Sequence, residues 1–267
     1  MYSVAREIEA SPGIASRRFG RTSRTDAWWR APLGVSLGLT IFAAYSIYAI
    51  ASGSNYEYTG GGARYLSPFY SPNLKALFGF DPPISFAFFV VWMPLGFRAT
   101  CYYYRKAYYR SFFLAPPACA VSGPRRRRYR GEAEFPYTAQ NVHRYFFYLA
   151  VVVLGFLWYD AVRAFFFDSD GGLELGVGLG SLVLLLNVVC LSAFTFGCNS
   201  LRHLIGGRLD CFSCSARART QHSLWKRVTT LNLRHKEWAW ISLVTVGLAD
   251  LYIRLAAMGV FHDPRIL

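Results

Sequence analysis

The sequence predicts an all-α fold, an integral membrane bundle of five transmembrane helices, and three observations carry that prediction. Apolar residues fall in long blocks; only 16% of the 267 residues are charged, against roughly 25% in soluble domains; and Lys and Arg collect in the gaps on one side of the blocks. With 54% hydrophobic and 18% aromatic residues, the chain cannot be a disordered polypeptide. Its net charge of +14 does not point to nucleic acid, because no zinc-finger spacing or RNA-recognition motif accompanies it.

A helix rises ~1.5 Å per residue and the hydrocarbon core is ~30 Å thick, so about 20 apolar residues make one crossing. The first thirty residues are polar and basic with no cleavage site after an apolar core, so they are read as a cytoplasmic leader and not a signal peptide. Residues 31–267 form the membrane domain, with spans at about 31–52, 83–104, 145–167, 173–198 and 238–261. Backbone groups in lipid must be satisfied within the segment, which makes blocks of this length helices. Pro94 predicts a kink in the second. Gly172, Gly176 and Gly180, spaced by four, predict a close-packing stripe on the fourth. No repeat of 20 to 50 residues is present.

Orientation follows from the basic residues. Arg64, Lys75 and Arg265 are the basic residues on one side of the spans; the other side holds those of the leader, of the loop with Arg125–Arg128, and of the loop before the fifth span. The bias places the N-terminus in the cytoplasm and the C-terminus outside, in a multi-pass protein of the plasma membrane. The arginine run is a topology signal first and a contact for anionic membrane lipid second.

Folded onto that topology, potential metal ligands share one membrane level. Cys101 ends the second span and Cys119 follows it; His143 opens the third; Cys198 closes the fourth, with His203 beyond; His235 opens the fifth. Disulfides are disfavoured on a reducing cytoplasmic face. Structural zinc would want local pairs, and only Cys211/Cys214 offers one. A centre held between helices by single residues remains: two His suit a b-type haem, and two Cys with two His suit a Rieske-type 2Fe–2S cluster. Cys198 and His203 stand about 140° apart around a helix and would not aim at one small cluster. The first-choice set is therefore Cys101, Cys198, His143 and His235, with Cys119 and His203 in reserve.

Ionisable residues inside spans are functional candidates. Asp160 and Asp250 lie roughly 26 Å and 22 Å beyond His143 and His235 along their helices, and are expected to pair with Arg163 and Arg254 or to line a polar pocket or proton route. Arg98 and Arg105 bracket Cys101 at i−3 and i+4, on its face of a continuous helix. The aromatic and basic run from Tyr102 to Arg110 extends that helix as a docking surface. Trp28, Trp29, Trp238 and Trp240 are interfacial belt residues and, in second place, walls of a quinone pocket.

The strings FRATCYYYRKAYYRSFFLAPPACAV (97–121), QNVHRYFFY (140–148), SLRHLIGGRL (200–209) and LRHKEWAWISLVTVGLADLYIRL (233–255) resemble the membrane anchor of the actinobacterial type of succinate dehydrogenase. The resemblance implies a flavoprotein partner that oxidises succinate and an iron–sulfur partner that relays electrons, both on the cytoplasmic face. It also implies a Rieske-type cluster in place of paired-His haems, and reduction of menaquinone. Arg202, Arg98, Arg105 and Trp238 are the expected quinone or cluster surroundings, and His203 beside Arg202 a quinone contact. The Cys211/Cys214 pair departs from the family pattern and is a poor ligand candidate. The alternatives are a haem-bearing or cofactor-free anchor, or a five-span transporter lined by Asp160 and Asp250.

Overall fold

The computed structural model describes residues 19–80, 84–124, 137–169, 171–207 and 209–267; most of the leader and the run Arg125–Arg128 lie outside the described residues. The first apolar block forms α1 (Arg30–Ser52), which stops where Gly53 adopts a left-handed conformation, φ 62°. A hairpin follows, β1 (Glu57–Gly60) and β2 (Ala63–Leu66), with Gly60 opposite Ala63. Its two-residue turn, Gly61–Gly62, has positive φ at both positions, the backbone a tight hairpin needs and glycine supplies. The short α2 (Leu74–Phe78) is capped by the Asn73 side chain, which accepts from the Ala76 N–H.

The second block departs from the predicted single helix. α3 (Ala87–Thr100) contains Pro94, yet the chain breaks seven residues later, at Cys101, whose backbone is extended (φ −63°, ψ 132°). α4 (Tyr102–Ser111) then starts anew. After a 3₁₀ turn over Tyr137–Val142 come α5 (His143–Arg163), the hairpin β3 (Phe166–Ser169) and β4 (Gly172–Leu175), and α6 (Leu179–Phe196). The third span thus ends four residues early, and the fourth begins six residues late. The two hairpins qualify the all-α prediction, and the glycine stripe does not exist as predicted. Gly172 lies in β4, Gly176 precedes α6, and only Gly180 is helical; its missing Cβ makes room for the Tyr65 ring.

α7 (Asn199–Gly206) and α8 (Ala216–Leu233) follow α6, and α9 (His235–Ala257) completes the chain's helices. The N-cap of α8 is Ser215, accepting from the Ala218 N–H at 3.1 Å. Among the described residues, four helices are long and apolar enough to cross a membrane: α1, the helix over Thr138–Arg163, α6 and α9. α3, with 14 residues, spans only ~21 Å by itself.

α6 packs against both α5 and α9, α3 against α5, and α1 against α9 and α4. At one end the hairpins close the bundle: Asp168 donates its N–H to the Gly62 carbonyl at 2.8 Å, and the C-terminal segment reaches Val177 through Ile266. Asp263 anchors that segment, accepting from the Tyr65 hydroxyl and the Gly180 N–H, each at 2.8 Å. The other end carries α4, α7, α8 and the starts of α5 and α9.

Candidate redox centre

Four of the predicted ligands come together at the end opposite the hairpins. His143 Nε2 lies 3.0 Å from Cys198 Sγ, and His235 Nε2 lies 3.5 Å from Cys101 Sγ. Both cysteines belong to one buried cluster with Phe97, Tyr104, Phe147, Phe194 and Ala239. Each cysteine sits at a break between two helices and is the N-cap of the second, Cys101 of α4 and Cys198 of α7. Cys198 Sγ accepts from the Ser200 N–H at 3.4 Å. Both histidines are the first residues of their helices.

The surroundings orient these groups. Thr100 donates its hydroxyl proton to the Gly96 carbonyl at 2.7 Å. Its oxygen must therefore accept in the 2.9 Å contact with His143 Nδ1, which puts the proton on Nδ1 and leaves Nε2 a bare lone pair facing Cys198. Phe97 stacks on His143 with centroids 4.7 Å apart, Phe194 on His235 at 5.0 Å, and the two phenyl rings meet at 5.4 Å. His235 Nδ1 and Trp238 Nε1 are buried without a hydrogen-bond partner.

Arg98 is held beside the pairs. It donates to the Tyr104 hydroxyl, to the Ala239 carbonyl at 3.3 Å and to Ser242 Oγ at 3.0 Å, and its guanidinium lies 4.6 Å from the Phe194 ring centre. Arg105 does not share this position. Its N–H bonds the Cys101 carbonyl at 2.9 Å, and its side chain packs over the Tyr102 ring at 4.9 Å.

The reserves stand apart. Cys119 is exposed, its carbonyl accepting from Arg24 at 3.0 Å. His203 is exposed on α7. Arg202 ties α7 to α8 through Asn199 and Asn232, each at 3.2 Å, and lies over Trp225. Cys211 and Cys214 form a disulfide with each other. Among the described residues, no group of three or more His, Cys, Asp or Glu side chains surrounds a single metal position; the arrangement is two Cys–His pairs.

The intramembrane carboxylates differ. Asp250 pairs with Arg254 at 2.8 Å, as the sequence suggests. Asp160 does not pair with Arg163, which turns to Asp168 at 3.0 Å and to the Phe166 carbonyl. The hairpin that replaces the predicted end of the third helix supplies those competing acceptors. Sequence reasoning also missed the roles of Thr100, Phe97 and Phe194, which look like ordinary helix residues until the helices are assembled.

The family described as actinobacterial succinate dehydrogenase subunit SdhC matches residues 30–259. Among solved structures, the chain is similar to one in the Mycobacterium smegmatis Sdh1 complex in the apo form. They share 42% identity with a TM-score of 0.82, over 96% of this chain and 98% of that one. No curated protein matches the sequence.

Proposed function

The chain belongs to the actinobacterial succinate dehydrogenase membrane-subunit family, and from that premise we propose that it carries electrons from a soluble iron–sulfur subunit, fed by a flavoprotein, to menaquinone. The observation that supports this most is the pair of buried Cys–His contacts, contributed by residues from 101 to 235 of the chain. The soluble partners dock at this end of the bundle, on the cytoplasmic side of the plasma membrane. α3 completes a fifth crossing together with the residues before it and the first turn of α4, which leaves the N-terminus cytoplasmic and the C-terminus outside.

The donor set fits a Rieske-type 2Fe–2S cluster: two thiols, two imidazoles, and burial that excludes water. The pairs are each one Cys and one His, whereas such a cluster takes both imidazoles on one iron, so side chains must regroup on loading. Cys101, Cys198, His143 and His235 would hold it, and it would supply a one-electron relay between the soluble subunit and the quinone. A haem fits less well. Phe97 and Phe194 cover the imidazole faces, and the cavity beside them is about 40 Å³, an order of magnitude below the several hundred Å³ of an ordinary ligand site.

The protein's own groups complete the chemistry. Thr100 fixes the His143 tautomer with Nε2 free to ligate. The Arg98 cation stabilises negative charge gained on reduction. A cavity of about 370 Å³, lined by Trp28, Tyr103, Lys106 and Lys236 among others, opens beside the first turn of α9, which carries His235 and Trp238. It is the proposed quinone entry.

The test is low-temperature EPR with visible spectra on the intact complex purified without air and then reduced. A Rieske-like signal without a haem Soret band is the expected result. A Soret band without that signal would replace the cluster by a haem on two histidines. An active complex showing neither would reduce this subunit to an anchor.

A further inference from the structure

A cavity of about 780 Å³ lies at the hairpin end and plays no part in the redox proposal. One wall is α5, where Val152, Phe156 and Tyr159 present a largely exposed apolar stripe; the other is the β1–β2 hairpin and α2. Gly155 lies in the groove, and a Cβ added there would meet nothing within 4 Å. The volume falls within the range of ordinary ligand sites, enough for a head group and the upper part of its chains.

At the polar end stand Glu57, Arg64, Asp160 and Arg163. Arg64 donates to Glu57 at 2.5 Å, and Arg163 is engaged by Asp168. Asp160 is the acid among the four for which no such pairing is formed, and its Oδ2 is buried without a hydrogen-bond partner. The Ser71 hydroxyl is within reach of this carboxyl but is neutral, so a cation to balance a buried carboxylate must come from outside the chain. Both guanidiniums on the same rim keep N–H donors beyond those already used, so an anionic oxygen is accommodated next to that donor. An apolar groove ending in one unmatched carboxylate and two arginines complements an ammonium joined by a short link to a phosphate and followed by acyl chains.

We propose that this groove binds one phospholipid with a primary ammonium head group, of the phosphatidylethanolamine class, its ammonium on Asp160 and its phosphate beside Arg64 and Arg163. A quinol hydroxyl could also donate to Asp160. The lipid is favoured because Asp160 is 17 residues from His143, about 26 Å along α5, remote from the electron donor.

Native mass spectrometry of the whole complex in nanodiscs tests this, with equal parts phosphatidylethanolamine, phosphatidylcholine and phosphatidylglycerol. One bound phosphatidylethanolamine is expected to be retained about tenfold over the other two, the ratio that one charge-assisted hydrogen bond supplies. Asp160→Asn should abolish the preference, and Gly155→Phe should expel the lipid by filling the groove. Neither substitution disturbs packing: the first is isosteric and the second enters open space. Equal retention of the three lipids, unchanged retention in both variants, or a quinone released from the groove in place of lipid would each overturn the proposal.

Discussion

Two polar sites lie on α9 about four turns apart, and they are built on opposite principles. Around Asp250 and Arg254, both nearly inaccessible at 0% and 4% exposure, the hydrogen-bonding groups are densely matched. Asp250 accepts from Tyr45 at 2.5 Å, from Ser67, and from Arg254 at 2.8 Å. Arg254 also donates to Ser52 at 3.0 Å, to the Ser54 carbonyl at 2.7 Å and to the Ala49 carbonyl. Around His235, by contrast, an imidazole nitrogen and an indole N–H stay buried and unmatched, and thiols meet imidazoles in pairs. A saturated network has no capacity left for a ligand and serves to fix α1, the β2 exit and α9 together. The unsaturated one retains ligating atoms, at a cost in stability that a bound group can offset.

The contrast is tested most severely at the saturated site. Arg254→Leu leaves the Asp250 carboxylate buried and unpaired, a loss on the order of 3–5 kcal/mol. The complex should fail to accumulate, or unfold at much lower temperature; normal thermal stability would show that the network is not structural. A partner variant, Asp250→Asn with Arg254→Met, should recover much of the loss, since removing both charges is far milder than removing one.

At the unsaturated site the order reverses, with function lost and fold kept. His143→Ala with His235→Ala should abolish quinone reduction while the assembled complex still oxidises succinate with an artificial dye. Quinone reduction surviving in that double variant would sink the ligand assignment. Arg98 belongs to both kinds of site, bonded to α9 yet adjacent to the pairs. Arg98→Gln should lower stability by about 1.5–3 kcal/mol, the loss of a charged hydrogen bond, and slow quinone reduction; Arg98→Lys should restore more of the second than of the first. The smallest effects belong to the residues that the structure sets apart. His203→Ala should change stability by no more than about 0.5 kcal/mol and leave quinone reduction intact. A large loss would bring His203 back as a ligand.

How legible each element was depended on whether its signal was local. The start of α1 and its end at Gly53 coincide with the edges of an apolar block and a left-handed glycine, and α9 is offset by only a few residues. Between α5 and α6 the run FFFDSDGGLELG is apolar enough to extend both spans, yet Phe166–Ser169 and Gly172–Leu175 pair as a hairpin. Hydropathy alone does not distinguish the two. Nothing in FRATCYYY announces a helix break at Cys101; the break accompanies the bonds from Arg98 to α9 and from Tyr104 to the Ala239 carbonyl.

By itself the sequence determined the membrane class, the family and the gathering of cysteine and histidine at one end. Apolar length, motif identity and position along a span are properties of contiguous residues. Only the tertiary structure decided that Cys101 faces His235 and Cys198 faces His143, that Asp250 has an arginine partner while Asp160 does not, and that the Arg105 guanidinium packs over Tyr102. Those outcomes depend on the rotation of each helix about its axis and on where it breaks. Both are set by packing between segments far apart in the chain, 55 residues for one Cys–His contact and 134 for the other, which no local pattern encodes.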